Sequence, residues 1–389
     1  MLKRVGIGLL VLVALCGGLL FSVVAPIIDS RMNRVEKAPL RDPSADAIAL
    51  HRTIGVADLH GDLLLWPRSV LTRGSRGHED LPRMQEGGMA LQVFSSVTKA
   101  PRGLNYEHND STTDQIQLMA IASRWPMAAW SSRVERALYQ AGKFAAAAEA
   151  SGGQLVPIRS AADLARLLAA RAANPKLVGA LLSIEGLHAS EGREANLDRL
   201  YDAGFRMMGL THFFDNEVGG SSAGMVKGGL TPFGRQAIRW MEGKRVIVDL
   251  AHASPATIDE TLGMVTRPVV VSHTGVKGTC PGPRNLSDDQ IRRIAATGGV
   301  IGIGFWNAAI CGTSPDSVAA AIRYTVSVAG IDHVGLGSDF DGATTTAFDV
   351  SRMVLITDAL LKAGLAVEDV RKVMGGNVVR LLMENLPPG

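Results

Sequence analysis

The stretch Val246-Ile247-Val248-Asp249-Leu250-Ala251-His252 is a short apolar run that ends in a histidine, and Val269-Val270-Val271-Ser272-His273 repeats the pattern. Four further apolar runs also lead into His, Asp or Glu: Ile54–Val56 before Asp58, His60 and Asp62; Leu177–Ile184 before Glu185; Met207–Leu210 before His212; and Val334–Ser338 before Asp339. Strands that stop at metal-capable side chains are typical of enzymes whose active site lies on the carboxyl rim of a parallel β-barrel.

Eight candidate strands follow along the chain, most of them near-continuous in Val, Ile, Leu or Met: about 53–58, 89–97, 177–184, 205–211, 245–250, 268–272, 299–305 and 333–338. Such runs are expected where helices cover one face of a strand and a barrel interior the other. Helical patterns fit between them, and Ser287 before two aspartates has the features of a helix start. The sequence predicts an α/β fold, a (β/α)8 TIM-type barrel, with extra helices in the long stretch 105–172.

The first thirty residues form a separate segment. Lys3 and Arg4 precede 24 uncharged residues, Val5 to Ile28, enough to cross a bilayer as a helix. A cleaved secretory signal is the competing interpretation, but Pro26 disfavours cleavage after Ala25. We therefore expect an N-terminal transmembrane or signal helix ahead of the barrel.

The expected organisation is a membrane anchor or signal segment over residues 1–30, a polar linker over 31–50 and a metal-dependent barrel domain over 51–389. The positive-inside tendency sends that domain outward. The predicted protein is membrane-anchored or secreted, with its catalytic domain in the periplasm or at the cell exterior. The oligomeric state stays open, with a homodimer as one option.

Composition argues against a nucleic-acid partner. The formal net charge of +3 comes from 40 basic and 37 acidic residues, without a long block of like charge. Aromatic residues make up 5% of the chain, so few platforms for stacking bases exist. A hydrophobic share of 47% indicates a large buried core rather than disorder.

Five of the polar strand-end residues predict a pair of metal sites. His60 and Asp62 are two residues apart, so both side chains project to one face of an extended strand end. His252 and His273 end consecutive predicted strands, which lie side by side in a parallel sheet. Glu185 can reach both ions through its two oxygens. Each residue alone is equally well a satisfied polar core group, but five together favour a dinuclear centre.

The remaining rim residues suggest a chemistry. Two ions a few ångström apart would hold a shared water as hydroxide at neutral pH, which indicates hydrolysis. His212 is placed to stabilise the oxyanion of a tetrahedral intermediate, and Asp339 to carry a proton to the leaving amine. Arg284 can pair with a substrate carboxylate, although a loop-bracing arginine is an equally good interpretation.

Ordered motifs over residues 55–380 resemble the membrane (renal-type) dipeptidase family, zinc peptidases with an amidohydrolase-type barrel. The motifs are Asp58-Leu59-His60-Gly61-Asp62-Leu63, Asp80-Leu81-Pro82-Arg83 to Gly87-Gly88, Ile184-Glu185-Gly186-Leu187-His188, Leu210-Thr211-His212, Gly229-Leu230-Thr231-Pro232-Phe233-Gly234, Asp249-Leu250-Ala251-His252, Ser272-His273, Arg284-Asn285 and Gly337-Ser338-Asp339-Phe340-Asp341-Gly342.

This resemblance implies two zinc ions per chain and a dipeptide substrate. His60, Asp62 and Glu185 would hold one zinc, and Glu185 with His252 and His273 the other. His212 and Arg284 would bind substrate, and Asp339 would bind substrate and assist proton transfer. By the same resemblance, Cys280 and Cys311 would form a disulfide. The residues alone leave these cysteines either bridged or as two buried thiols.

Two departures from the family pattern concern substrate preference. Gly61 stands where the family usually has Asn, and Phe213-Phe214-Asp215-Asn216-Glu217 differs from the pattern of the animal enzymes. Both leave the metal ligands unchanged. The predicted function is zinc-dependent hydrolysis of dipeptides by a metal-bridged hydroxide. The alternatives are another dinuclear-metal barrel hydrolase, such as a lactonase or phosphotriesterase-like enzyme, and a catalytically silent membrane-tethered binding protein.

Overall fold

The computed structural model describes residues 23–37 and 39–389. Its centre is a closed barrel of eight parallel strands, each paired with the next along the chain and the last paired with the first. The strands are β1 (Val56–Gly61), β2 (Met89–Val97), β3 (Val178–Glu185), β4 (Phe205–Gly209), β5 (Ile247–Asp249), β6 (Val270–Thr274), β7 (Val300–Ile303) and β8 (Val334–Leu336).

The predicted barrel is therefore confirmed, with each strand within a few residues of its expected place. Every residue of the eight strands is buried, as their near-continuous apolar sequences require. The largest shift is in β1, which ends at Gly61 rather than near residue 58. Gly61 still pairs with Phe94 of β2 and forms a bridge with Phe340, so the strand continues past His60.

Helices surround the strands. They are α1 (described over residues 23–32), α2 (Ala45–His51), α3 (Leu81–Glu86), α4 (Gln115–Ala122), α5 (Met127–Ser131), α6 (Arg133–Ala150), α7 (Ala161–Arg171), α8 (Glu194–Asp202), α9 (Pro232–Lys244), α10 (Pro255–Leu262), α11 (Asp288–Ala296), α12 (Asn307–Ile310), α13 (Pro315–Ala329), α14 (Val354–Lys362), α15 (Val367–Arg371) and α16 (Asn377–Asn385).

Local sequence signals explain several of these boundaries. Ser287 and Gln290 form a capping box at the start of α11, as the sequence predicts. The extra helices expected in 105–172 are α4 to α7, and a short strand, Leu155–Pro157, runs between α6 and α7 and pairs with the start of β3.

The N-terminal segment packs against the barrel. Arg34–Val35 pairs in parallel with Thr345–Thr346, beyond β8. Ser44 caps α2 and binds the carboxylate of Asp358 through its backbone N–H and its hydroxyl. The stretch expected to be a polar linker is thus held by long-range contacts, which hydropathy and composition do not report.

Most of the predicted anchor or signal segment, residues 1–22, lies outside the described part of the chain. Residues 23–30, the rest of it, are helical and belong to α1. Within residues 23–37 and 39–389, none of the helices combines the length and apolar character needed to cross a bilayer.

Candidate active site

The five predicted metal ligands converge at the carboxyl rim of the barrel. Oε1 of Glu185 lies 2.9 Å from Nε2 of His252, 3.2 Å from that of His273 and 3.8 Å from that of His60. Nε2 of His60 lies 3.5 Å from Oδ2 of Asp62. All five side chains are buried. Three histidine nitrogens therefore face one carboxylate oxygen.

The ends of four strands position these residues. His60 lies near the end of β1, Glu185 ends β3, and His273 lies near the end of β6. His252 follows β5 by three residues and adopts a left-handed backbone, with φ of +63°. Such a conformation is unfavourable for a side chain with a Cβ, and it persists here because the surrounding contacts fix it.

One hydroxyl sets the orientation of two of these imidazoles. Ser272 donates its proton to Oδ2 of Asp249 at 2.6 Å. Its oxygen can then accept from Nδ1 of His273 at 2.9 Å and from Nδ1 of His60 at 3.3 Å. With protons on Nδ1, both rings direct the Nε2 lone pair toward Glu185, as metal ligation requires.

Sequence reasoning missed the roles of Ser272 and Asp249, although both stand in the strand-end stretches that carry His273 and His252. Asp58 has a similar supporting role. Its carboxylate accepts from the backbone N–H of Ser338 at 2.8 Å and from the Ser338 hydroxyl, which holds the end of β8 beside β1.

The five predicted ligands, His60, Asp62, Glu185, His252 and His273, form a cage. The charges in this cage indicate a bound cation. Burial raises the pKa of Glu185 and of Asp339 well above the ordinary range, and the nearby charge of Asp62 raises both further. Burial alone would lower the pKa of His60, but Asp62 and Glu185 raise it to about 10. Several carboxylates in one buried site repel one another unless a positive charge lies between them.

Two buried ligand atoms without hydrogen-bond partners also indicate a bound cation. Among the described residues, neither Nε2 of His60 nor Oδ1 of Asp62 has a hydrogen-bond partner. Buried polar atoms without partners are costly, and a bound ion satisfies them. Imidazole nitrogens with carboxylate oxygens are a donor set that zinc accepts. The residues therefore fit divalent cations.

The ligand atoms form three overlapping groups, each spanning no more than 4.8 Å: His60 with Glu185 and His273; Glu185 with His212 and His252; and His60 with Asp62 and Asp339. His212 and Asp339, which were not among the five expected metal ligands, thus lie close enough to those ligands to share these groups. The two additional residues come from the loops after β4 and β8.

His212 sits directly against the shared carboxylate. Its Nε2 lies 3.3 Å from Oε2 of Glu185, and its Nδ1 lies 3.3 Å from the carbonyl oxygen of Lys99. The carbonyl can only accept, so the proton belongs on Nδ1. Burial lowers the pKa of His212 to about 3, so the neutral ring presents a lone pair at Nε2.

Asp339 is held in a left-handed backbone conformation, with φ of +60°, and its Oδ1 lies 4.0 Å from Nε2 of His60. Gly342 is packed against it: a Cβ added there would be 1.9 Å from Oδ1 of Asp339 and 3.0 Å from Oδ2 of Asp62. The absence of a side chain at residue 342 therefore lets the two carboxylates approach each other.

Arg284 lies in the loop after β6 and is buried. Its Nη2 donates to the carbonyl of His273 at 2.7 Å, which positions the guanidinium beside the cage. Nε of Arg284 has no hydrogen-bond partner among the described residues. Burial lowers the pKa of Arg284, and the charges of Asp339 and Glu185 oppose that shift. An unpartnered, buried donor remains for an anionic group.

The Arg284 loop is braced from two directions. Cys280 and Cys311 form a disulfide, with Cα atoms 5.3 Å apart. Asn285 donates to the carbonyls of Cys280 and Ala309, and accepts from the backbone N–H of Gly275. These contacts link the loop after β6 to helix α12, which follows β7.

Tyr106 lies near the site but was not identified as a site residue from the sequence. It comes from the long loop after β2, and its ring lies 5.7 Å from that of Phe213. Burial raises the pKa of Tyr106 to about 12, and the charge of Asp339 contributes. The long insertion 105–172 gives no periodic signal that would identify one loop residue as part of the site.

Gly61, which stands where the family usually has Asn, is closely packed by two side chains. A Cβ at this position would lie 2.5 Å from Oε1 of Glu79 and 2.9 Å from Nε2 of Gln92. The Glu79 carboxyl thus fills the space beside residue 61. Burial raises the pKa of Glu79 well above its ordinary value, and the charge of Asp341 raises it further.

Four other histidines have contacts or exposure of their own and are not among the candidate ligand groups. His51 contacts Thr357 and the carbonyl of Gly87, and His333 contacts the carbonyl of Gly299. His78 accepts from the backbone N–H of Asp341, and His108 is exposed.

Residues 44–386 match the model of a protein family described as membrane dipeptidase, Peptidase family M19. The chain belongs to Peptidase family M19. Membership makes it a metallopeptidase of the dipeptidase type, which confirms the resemblance noted in the sequence.

Curated relatives of this M19 chain include dipeptidases. It is 29% identical over 355 residues to dipeptidase aclJ of Aspergillus oryzae, covering 85% of this chain and 78% of that protein. It is 34% identical over 212 residues to dipeptidase verJ of Clonostachys rogersoniana, covering 53% of this chain and 55% of that protein.

Solved structures share the fold. A dipeptidase AC described as a metallopeptidase of family M19 superposes with a TM-score of 0.70 at 25% identity, over 86% of this chain and 99% of that one. The probable dipeptidase PvdM of Pseudomonas aeruginosa gives a TM-score of 0.74 at 20% identity, over 88% and 98%. A metallopeptidase of Rhodobacter sphaeroides was solved with a phosphinate mimic of the dipeptide L-Ala-D-Ala. It superposes with a TM-score of 0.69 at 24% identity, over 85% of this chain and 99% of that one.

Proposed function

We propose that this chain is a dinuclear zinc dipeptidase that hydrolyses the peptide bond of dipeptides with a free C-terminal carboxylate. The observation that carries the proposal is the shared position of Glu185, whose Oε1 lies 2.9 to 3.8 Å from three imidazole nitrogens. Glu185 belongs to two of the ligand groups, one with His60 and His273 and one with His212 and His252, which supports a carboxylate shared by a pair of cations.

His60, Asp62, Glu185, His252 and His273 would hold the two zinc ions. When bound, the ions supply Lewis-acid polarisation of the scissile carbonyl and a water molecule of lowered pKa. Ser272 and Asp249 keep the Nε2 lone pairs of His60 and His273 directed into the site.

Arg284 binds the substrate carboxylate. Its guanidinium is fixed through Nη2 by the carbonyl of His273, while Nε is left without a partner among the described residues. Charge-assisted hydrogen bonds of this kind are stronger than neutral ones. The requirement for a free carboxylate follows from this contact.

His212 stabilises the charge that develops in the reaction, and Asp339 transfers a proton. In the free site Nε2 of His212 carries a lone pair, so His212 stabilises the developing oxyanion through Nε2 only once that nitrogen has taken up a proton, while Nδ1 continues to donate to the carbonyl of Lys99. The negative charge that develops on the substrate oxygen favours the protonated ring. Asp339 accepts the proton that the attacking water loses and passes it to the leaving amine, a role suited to a buried carboxyl whose pKa is raised.

The test is a substrate panel on the zinc-loaded full-length protein. Dipeptides such as L-Ala-D-Ala are compared with lactones and phosphotriesters, and zinc is counted per chain. Hydrolysis of dipeptides with about two zinc ions bound is expected for a dinuclear site. Turnover of lactones or phosphotriesters alone would favour another barrel hydrolase, and fewer than one zinc without turnover would favour a silent binding protein.

Arg284→Ala separates the proposed roles. The variant should raise KM for free dipeptides much more than for dipeptide amides, because only the former carry the carboxylate. An equal effect on both substrate classes would contradict carboxylate binding by Arg284.

We further propose that the uncharged N-terminal stretch places the enzyme at the outer face of a membrane. Since residues 23–32 belong to α1 and pack on the barrel, an anchor would use residues 5–22, near the lower limit for a membrane-spanning helix. Alkaline extraction of membranes tests this, because an integral anchor stays in the membrane pellet.

A further inference from the structure

We propose that an apolar pocket beside the metal cage receives the side chain of the substrate's first residue, and that helix α1 forms the outer wall of this pocket. The inference rests on the dipeptidase function proposed above. It predicts a preference for dipeptides whose N-terminal residue carries a large apolar side chain.

The pocket is continuous with the reaction site. Asp62, Glu185 and His212 line its inner end, and its volume is about 560 Å³. Pockets for small ligands are of the order of 300–1,000 Å³. A dipeptide whose scissile bond lies at the cage can therefore extend one side chain into this space.

The walls beyond the cage are mainly apolar. Trp66, which follows β1, and Met119 of α4 contribute to the lining, and Ile28 and Met32 of α1 contribute the rest of this apolar surface. Arg102 is the one charged residue among the described lining residues outside the cage. Burial of an apolar substrate group in such a space is favourable by roughly 25 cal/mol per Å² of surface removed from water.

The position of the pocket around the barrel indicates which substrate residue it takes. Its lining includes Val97 and Ala100, which lie at and beyond the end of β2, whereas Arg284 follows β6. In a closed ring of eight sequentially paired strands, β2 and β6 are opposite each other. A carboxylate at Arg284 therefore directs the C-terminal residue away from the pocket and the N-terminal residue toward it.

Helix α1 is anchored firmly enough to act as a wall. Asp29 is fully buried and forms an ion pair with Nε of Arg68 at 2.9 Å, and it accepts a hydrogen bond from Nε of Arg76 at 2.8 Å. Asn33 accepts from the backbone N–H of Ala343, next to Gly342 in the active-site loop. These contacts place the apolar face of α1 over the site.

The first experiment measures kcat/KM of the zinc-loaded full-length protein for Leu-Ala, Phe-Ala, Gly-Ala and Asp-Ala. The two large apolar substrates should exceed the other two by at least about tenfold, the discrimination expected of a hydrophobic pocket. Equal values for Leu-Ala and Gly-Ala would overturn this inference while leaving the dipeptidase function intact. Failure to hydrolyse any dipeptide would overturn both.

A matched pair of variants on α1 tests the wall itself. Ile28 lines the pocket, whereas its neighbour Ile27 is 42% exposed and is not among the lining residues. Ile28→Trp should fill the space and lower kcat/KM for Phe-Ala by about tenfold or more, with Gly-Ala changed by less than about threefold. Ile27→Trp should leave both substrates unaffected. An equal effect of Ile28→Trp on both substrates, or none on Phe-Ala, would contradict the proposal.

Discussion

At the scale of single residues, the site depends on side chains that are present and on side chains that are absent. Glu185 belongs to two of the three candidate ligand groups. Gly342 and Gly61 leave space that the carboxyl groups of Asp339 and Glu79 occupy. Each of these features predicts the effect of a substitution.

Glu185→Gln should abolish turnover, because an amide is a weaker metal ligand and carries no charge to offset two cations. We expect a loss of kcat/KM of at least about a hundredfold together with reduced zinc content, measured by metal analysis. His333→Ala serves as the control and should stay near wild type, since His333 contacts the Gly299 carbonyl away from the cage. A Glu185→Gln enzyme with full zinc and full turnover would refute the bridging role.

Gly342→Ala should lower kcat. The added Cβ would fall 1.9 Å from Oδ1 of Asp339, so that carboxylate must move. A displacement of about 1 Å in a reacting group can cost about a hundredfold in rate. Thermal unfolding should show a folded protein, and an unchanged kcat would show that the position of Asp339 is not critical.

Gly61→Ala should destabilise the protein by about 1–3 kcal/mol, because the new methyl group overlaps the buried carboxyl of Glu79. Urea unfolding measures the change. Adding Glu79→Ala should recover part of the loss, so the double variant should be more stable than the sum of the single effects. Additive effects would mean that the two residues do not compete for the same space.

At the scale of elements, the loops after the strands are tied to the helices that surround the barrel. Helix α6 provides one example: Nζ of Lys143 donates to the carbonyls of Leu64 and Trp66, which follow β1, at 2.6 and 2.8 Å. Burial, together with the charge of Arg68, lowers the pKa of Lys143 from 10.5 to about 8.

This shift predicts a pH dependence of stability. Between about pH 8 and 10.5 the unfolded chain keeps the Lys143 proton while the folded protein has lost it. The unfolded state therefore binds more protons, and the free energy of unfolding should rise with pH in that window, by at most about 1.4 kcal/mol per pH unit. Lys143→Met removes the titrating group, so urea unfolding of this variant should lack that rise. Parallel profiles for both proteins would contradict the assignment.

At the scale of the whole molecule, the N-terminal segment completes the catalytic face rather than leading away from it. Asp29 holds α1 to Arg68 and Arg76, and Arg34–Val35 pairs with Thr345–Thr346. Asp341 also pairs with Arg68, and although burial opposes it, this charge and His78 lower the pKa of Asp341 to about 2.

Asp29→Ala should release α1 from the barrel, because it leaves the buried Arg68 with one carboxylate fewer. Limited proteolysis should then cleave near residues 36–44 faster than in wild type. The preference for large apolar first residues should decrease, while Gly-Ala hydrolysis continues. Unchanged proteolysis would show that other contacts are sufficient to hold the segment.

The sequence by itself determined the eight strands, the parallel barrel and the metal-capable residues at its rim. These follow from local apolar runs and from the rule that parallel strands end on the same face. Only the tertiary structure decided that His212 and Asp339 lie beside the cage, that Ser272 orients two imidazoles, that Glu79 takes the space beside Gly61 and that α1 closes a pocket over the site. Each of these depends on side chains brought together from distant parts of the chain, and contacts of that kind leave no periodic pattern in the sequence.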